Sequence, residues 1–225
     1  MKDLHAFRAA AVEAAGGSSD EAIKLRVLDV LGTIGTCSTL LDFGAGKGDF
    51  LALLRERYPD VALTGADYLP RPANISQHDG WIQTDLNEEF VGGQLFDFIT
   101  CIEVIEHLEN PRLTMRRIVA ALKPGGTLIL TTPNQESIRS YAALVAGGHF
   151  AAFLGTSYPA HITALLRLDL VRICYECGLA PPIFSYTNVG GIPKMPRHSG
   201  QSFSFGLLKG RLFSDNLLMV TTKSE

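Results

Sequence analysis

Apolar positions along the chain switch between two rhythms. Short, mostly apolar runs suit strands buried on both faces. Longer stretches repeat apolar residues every three or four positions, as on one face of a helix. Residues 20–33 have the helical rhythm, with Ser18, Ser19 or Asp20 as N-cap. Thr39–Phe43 is a short strand that runs into glycines, and Asp49–Tyr58 returns to helical spacing until Pro59. Val61–Asp67, Trp81–Thr84 and Phe96–Cys101 read as further strands. Asn110 and Pro111 open a helix that runs to Lys123 and ends at Pro124-Gly125-Gly126. Thr127–Thr131 is a fifth strand, and helices follow near 136–146 and 164–177. Ile183–Thr187 and Leu217–Thr222 are two late β-type runs.

Strands alternating with helices predict an α/β fold, with a parallel sheet covered on both faces. The last two runs lack an intervening helix and predict an antiparallel pair at one edge. The stretch between them, 188–216, is long for a hairpin loop, a length that goes with function or mobility. No repeat, low-complexity tract or linker interrupts residues 1–225, so the chain reads as one domain. Residues 1–35 form its N-terminal helical segment.

Composition narrows the function classes. The chain has 225 residues, 46% hydrophobic and 19% charged, with net charge −3, which suits a single globular core. No positive excess calls for nucleic acid or an anionic membrane. Arg8 and Glu13 break the alanine-rich N-terminus, so it does not read as a signal peptide. The apolar segment 141–154 is too short to span a bilayer. A cytoplasmic protein is expected. The four cysteines (37, 101, 174, 177) do not suggest a disulfide framework. Cys174 and Cys177 share a helix face and lack a second pair, so they read as core thiols rather than a zinc or redox site.

The chemistry starts at Gly44-Ala45-Gly46-Lys47-Gly48, between the first strand and its helix. Glycines there let backbone turn tightly against a ligand, and the helix start that follows presents free amide N–H groups. A dinucleotide fingerprint would need glycine at 49, where this chain has Asp49. Asp42, before the turn, suits a cationic ligand and disfavours a pyrophosphate. Asp67 ends the second strand, placed to accept from two ribose hydroxyls, and Asp85 follows the third, placed to accept from an adenine amino group. Either acid alone would pass for a turn residue. The set in this order points to a cofactor site.

With these motifs the chain resembles the class I S-adenosylmethionine-dependent methyltransferases. The matching stretches are LLDFGAGKGDF (40–50), LTGADY (63–68), QTDL (83–86), FDFITCIEVIEHLENP (96–111), LKPGGTLILTTPN (122–134) and CGL (177–179). The resemblance implies a seven-stranded sheet of order 3-2-1-4-5-7-6 with strand seven antiparallel. It also implies that Asp42, Gly44, Gly46, Asp67, Asp85 and Glu103 surround S-adenosylmethionine, with Ala45, Gly48, Tyr68 and Leu86 beside them.

Glu103, Glu106 and His107 fall within one turn after the fourth strand, where positions 0, 3 and 4 share a helical face. With His161 they could hold a divalent ion, Mg²⁺ or Mn²⁺ by their oxygen ligands, or Zn²⁺. This E-x-x-E-H resembles the metal site of the ubiquinone-pathway O-methyltransferases and of the small-RNA 2′-O-methyltransferases. Without metal, Glu103 could serve the cofactor, Glu106 the helix start, and His107 or His161 act as general base or as an ordinary buried histidine.

Two regions are expected on the substrate side. Residues 135–160 carry Tyr141, Phe150, Phe153 and Tyr158; residues 188–215 carry Lys194, Arg197, His198, Lys209 and Arg211. The first suits an apolar wall or a helix packed on the sheet, the second an anion or plain solvent. The main reading is O-methylation of a small hydroxylated, perhaps anionic, metabolite. The alternatives are an RNA methyltransferase, a nicotinamide-dependent oxidoreductase and a non-catalytic cofactor-binding protein.

Overall fold

A computed structural model describes residues 4–32, 38–88, 93–192, 195–199, 201, 204 and 207–225. Cys37 and Lys194 lie outside these, as do the side chains of Arg197 and His198. Two helices come first, α1 (Leu4–Ala15) and α2 (Glu21–Leu31). Asp20 caps α2 by accepting from the Ala22 amide. Then follow β1 (Thr39–Phe43), α3 (Asp49–Arg57), β2 (Ala62–Asp67), β3 (Gly80–Gln83) and β4 (Phe96–Ile102). The second half has α4 (Pro111–Ala121), β5 (Leu122–Pro133), α5 (Ile138–Gly147), α6 (Arg167–Glu176) and β6 (Ile183–Tyr186). A small pair, β7 (Gly191–Ile192) and β8 (Met195–Ser199), precedes β9 (Asn216–Thr222).

Seven strands make the main sheet in the order β3-β2-β1-β4-β5-β9-β6. Counting only its own strands, this is 3-2-1-4-5-7-6, and the last in sequence, β9, runs antiparallel to both neighbours. Both features match the expected architecture.

The two faces of the sheet have separate cores. On one, Leu40, Leu63 and Ile129 pack with Ile23 and Val27 of α2 and with Leu51 and Leu54 of α3. On the other, Leu41, Leu128 and Leu130 pack with Met115 and Ile118 of α4 and with Leu170 and Ile173 of α6. Adjacent residues such as Leu40 and Leu41 fall in different cores, as a side-chain period of two requires. Cys174 is fully buried, beside Met219, and Cys177 is half-buried at the end of α6.

Two boundaries differ from the sequence pattern. The α4 helix ends at Ala121 rather than Lys123, because Leu122 is already extended and pairs with Phe96. The strand β5 therefore starts before Pro124-Gly125-Gly126, and a register shift between Phe96 and Phe98 takes up that insertion. The described residues of the long 188–216 stretch include the β7–β8 pair and a 3₁₀ turn, Arg211–Phe213.

Candidate active site

The C-terminal ends of β1, β2, β3 and β4 open on one cavity of about 360 Å³, the position at which open α/β sheets bind ligands. The glycine turn forms one wall. Its amides are spent inside the protein. Those of Gly44 and Ala45 donate to the Ala66 carbonyl at 2.8 and 3.1 Å. Gly46 donates to Asp67 Oδ2 at 2.7 Å, Lys47 to the Gly17 carbonyl at 2.9 Å, and Gly48 to the Ala45 carbonyl at 2.9 Å. A pyrophosphate site needs such amides free, so the turn is no phosphate cradle. Gly46 has φ +54, and a Cβ on it would strike the Gly17 carbonyl.

The acids at or just past the ends of β1, β2 and β3 line the cavity. Asp42 is buried and accepts from the Thr100 hydroxyl at 2.8 Å. Burial pushes its carboxyl up to about 7, with the Thr100 hydrogen bond pulling the other way. Asp67 accepts from the amides of Gly46 and Leu69, and burial raises it too. Asp85 accepts from the Asn87 amide at 2.9 Å and from Arg8 at 3.0 Å. Gly44, Ala45, Tyr68 and Leu86 line the same cavity, whereas Gly48 caps α3 and is outside the lining.

Past β4 the chain makes a 3₁₀ turn over Ile105–His107 instead of an α-helical one. The shared helical face expected of Glu103, Glu106 and His107 therefore does not form. Glu103 takes the left-handed conformation, φ +54. Its carboxylate accepts from the Thr131 hydroxyl at 2.9 Å and from Asn216 Nδ2 at 2.7 Å. Glu106, His107 and His161 instead come together, with one ligand atom of each within 4.8 Å of the others. Glu103 is not in that group; Thr131 and Asn216 hold its carboxylate instead.

His161 is brought there by backbone pairing. The amides of Ile162 and Thr163 both donate to the Glu106 carbonyl at 3.0 Å. The two imidazoles meet edge to face at 4.9 Å. His107 Nδ1 lies 2.9 Å from the Ala160 carbonyl and His161 Nδ1 lies 2.7 Å from the Ala152 carbonyl. Each carbonyl fixes its ring with the proton on Nδ1 and leaves Nε2 as the basic nitrogen. Burial lowers both rings below the usual histidine value. Glu106 is fully buried; its Oε2 accepts from the Thr132 hydroxyl at 3.0 Å, and Oε1 has no hydrogen-bond partner among the described residues. Burial pushes Glu106 up to about 7.

Several participants escaped the sequence reading. Arg8 of α1 pairs with Asp85, Glu88 and Glu109. Lys24 and Asn216 line the cavity. For Arg8 a signal existed: it sits between apolar Phe7, Ala11 and Val12, with no acid three or four positions away to pair with. Of the two supposed substrate-side regions, 135–160 reaches the site through Phe153, whose ring lies 5.4 Å from that of His161. In 188–215, Arg211 pairs with Glu136, so that cation already has a partner.

Among the described residues no helix is long and apolar enough to cross a membrane. Residues 16–180 match the family model of a methyltransferase domain. The ubiquinone biosynthesis O-methyltransferase of Xanthomonas campestris pv. campestris is 31% identical over 143 residues, covering 57% of this chain and 60% of that one. The chain thus spans less than two thirds of the length of the curated relatives it matches. A protein solved in complex with the Haloferax volcanii Trm112 methyltransferase activator superposes with TM-score 0.67 at 15% identity over 100% of both chains. The N-methyltransferase NodS of Bradyrhizobium japonicum, solved with S-adenosylhomocysteine, gives 0.54 at 22% identity, covering 90% of this chain and 84% of that one. The sheet order, the cavity at the strand ends and the family match over 16–180 agree: this chain belongs to the class I S-adenosylmethionine-dependent methyltransferases.

Proposed function

We propose that the chain methylates a hydroxyl of a small metabolite. The observation that carries this is the placement of His107 and His161 on the same cavity as Asp42, Asp67 and Asp85. A base and a cofactor site in one enclosure are what transfer to oxygen needs. The curated relatives named as O-methyltransferases support it.

S-adenosylmethionine supplies a methyl carbon already activated on a sulfonium. The chain's task is alignment and deprotonation. Asp42 takes the cofactor's ammonium, Asp67 the ribose hydroxyls and Asp85 the adenine amino group. His107 Nε2 accepts the acceptor's hydroxyl proton as the new O–C bond forms. The S–C bond breaks, its electron pair returns to sulfur, and S-adenosylhomocysteine leaves. Phe153 contributes an apolar wall beside His161, and residues 1–225 work as one domain.

A divalent ion fits the second site. Glu106 Oε1 is a buried oxygen without a partner, and both imidazoles present Nε2 with Nδ1 held by carbonyls. With Glu103 held elsewhere, the donor set is two nitrogens and one carboxylate. That set suits Zn²⁺, Fe²⁺ or Mn²⁺ better than Mg²⁺. Such an ion would occupy the Nε2 lone pairs and, in place of proton uptake by His107, would lower the acceptor hydroxyl's pKa.

The test is labelled-methyl transfer from S-adenosylmethionine to a panel of hydroxylated aromatic and aliphatic acids and of matching amines. Calorimetric titration of Zn²⁺, Mn²⁺ and Mg²⁺ into wild type and Glu106→Gln accompanies it. Methylated oxygen in the product supports the reading, and transfer only to nitrogen acceptors refutes it. Identical heats for the two proteins end the metal part alone.

A further inference from the structure

The N-terminal helix has an unusual attachment. Among the described residues of α1, Arg8 alone is buried. Phe7, Ala11, Val12 and Ala15 line the cavity instead of entering a core. Arg8 binds Glu109 through two hydrogen bonds of 2.9 Å, binds Asp85 at 3.0 Å, and also binds Glu88. These carboxylates lie beyond β3 and beyond the 3₁₀ turn of His107, so one guanidinium ties α1 to both sides of the cavity. The pairs hold the Arg8 guanidinium more firmly protonated than usual. Phe7 also meets the Tyr158 ring at 5.9 Å.

The connection to α2 is built to pivot. Gly16 and Gly17 both have positive φ, +72 and +63. Gly17 is anchored, because its carbonyl accepts from Lys47 of the glycine turn. Gly16 is exposed, and a Cβ there would meet nothing within 4 Å. A helix with a buried ion-pair cluster at Arg8 and small apolar residues over a cavity is locally weak when nothing fills that cavity.

We propose that α1 is a roof that closes on the adenosyl part of the cofactor, and that Arg8 is the positioning residue that latches it to Asp85, Glu88 and Glu109. Bound adenosine gives Phe7, Ala11 and Val12 the apolar surface that the open cavity lacks. Arg8 at the same time fixes the Asp85 carboxylate against the adenine edge. Release of S-adenosylhomocysteine requires the latch to break, so the latch sets the residence time of the product.

This rests on the cavity being the cofactor site, and one experiment separates the two ideas. Tritiated S-adenosylhomocysteine is bound to wild type, Arg8→Ala, Arg8→Lys and Glu88→Gln, and its release is chased with unlabelled compound. Hydrogen exchange of residues 4–15 is followed with and without the ligand. Arg8→Ala should release the ligand about tenfold faster or more, since affinity changes of this kind fall mostly on dissociation. Arg8→Lys should be intermediate, because an ammonium cannot reproduce the guanidinium fork. Salt should speed release from wild type and leave Arg8→Ala unchanged. The ligand should slow exchange of residues 4–15 in wild type only. If Arg8→Ala does not fold, Glu88→Gln, which alters an exposed partner outside the cavity lining, carries the same comparison with the salt series. Equal release rates and ligand-independent exchange of α1 would overturn the roof. Failure of wild type to bind S-adenosylhomocysteine would instead overturn the cofactor assignment of the cavity.

Discussion

Asp42 and Thr100 face each other across the neighbouring strands β1 and β4, and the Thr100 hydroxyl donates a 2.8 Å hydrogen bond to the Asp42 carboxylate. One hydroxyl does not offset full burial, so the carboxyl titrates at about 7 in place of its ordinary 3.8. A folded-state value above the unfolded one means that the folded protein binds the extra proton. This contribution to stability is present below 3.8 and is lost as pH rises through about 7.

Asp42→Asn should therefore match wild type in stability near pH 4 and exceed it increasingly up to neutrality. The gap should then level off, at a size on the order of a few kcal/mol. Urea denaturation of the ligand-free proteins across this range reads it. The same substitution removes the counter-charge for the cofactor's ammonium. Affinity for S-adenosylhomocysteine should fall by about tenfold or more. A variant more stable yet weaker in binding is the signature of a carboxylate kept for function; equal stability at all pH values would refute the shift.

Gly46→Ala tests the joint between the glycine turn and the N-terminal segment. An alanine would have to adopt φ +54, and its Cβ would strike the Gly17 carbonyl that Lys47 holds. The strained backbone alone costs roughly 1–3 kcal/mol. Thermal melting should show this loss. Exchange at residues 16–20 should also rise, because displacing Gly17 loosens the Lys47 hydrogen bond. A drop in stability confined to the turn itself would show that the two segments are not coupled.

What the sequence displayed is mostly what depends on neighbours in the chain. The turn at 44–48, the acids at strand ends and the late antiparallel strand follow from local pattern, and the sheet order came with the family resemblance. Partnerships across long separations were hidden. Arg8 finds acids 77, 80 and 101 residues away, and the Asn216 amide reaches Glu103 over 113 residues. The E-x-x-E-H spacing was read with an α-helical period. The chain takes a 3₁₀ turn there, preceded by a left-handed Glu103, so the cluster is Glu106 and His107 with His161, and Glu103 stands apart from it. His161 was a candidate by residue type alone; only the pairing of Ile162 and Thr163 with Glu106 brings it beside His107.

Asn216→Ala should leave Glu103 Oε2 without its amide donor, in a carboxyl that burial already pushes well up. Losing a partner for a buried polar group costs about 1–3 kcal/mol. Glu103→Gln should cost less in the Asn216→Ala background than in wild type. A double-mutant cycle read by urea denaturation gives the coupling, and additive effects would show that the bond does not hold Glu103 in place.

His107 gives the pH dependence of the reaction. Burial moves its ring below the ordinary 6.5, so at neutral pH it is uncharged. The Ala160 carbonyl keeps the proton on Nδ1, which leaves Nε2 free to take the acceptor's proton. The sign follows: lowering pH through the folded value charges the ring and removes the base. Methyl transfer to a hydroxylated acid should be flat around neutrality and fall on the acid side with a midpoint below 6.5. His107→Gln keeps a side chain able to donate to Ala160 but cannot accept a proton. It should lower kcat by about 10²–10⁴ and abolish the acid limb, with little change in S-adenosylhomocysteine affinity. If an ion sits on the Glu106–His107–His161 cluster, a chelator should reproduce the loss in wild type, and Zn²⁺ or Mn²⁺ should restore it. Without an ion, chelation changes nothing and the acid limb belongs to the imidazole. An unaltered pH profile in His107→Gln would remove His107 from the reaction.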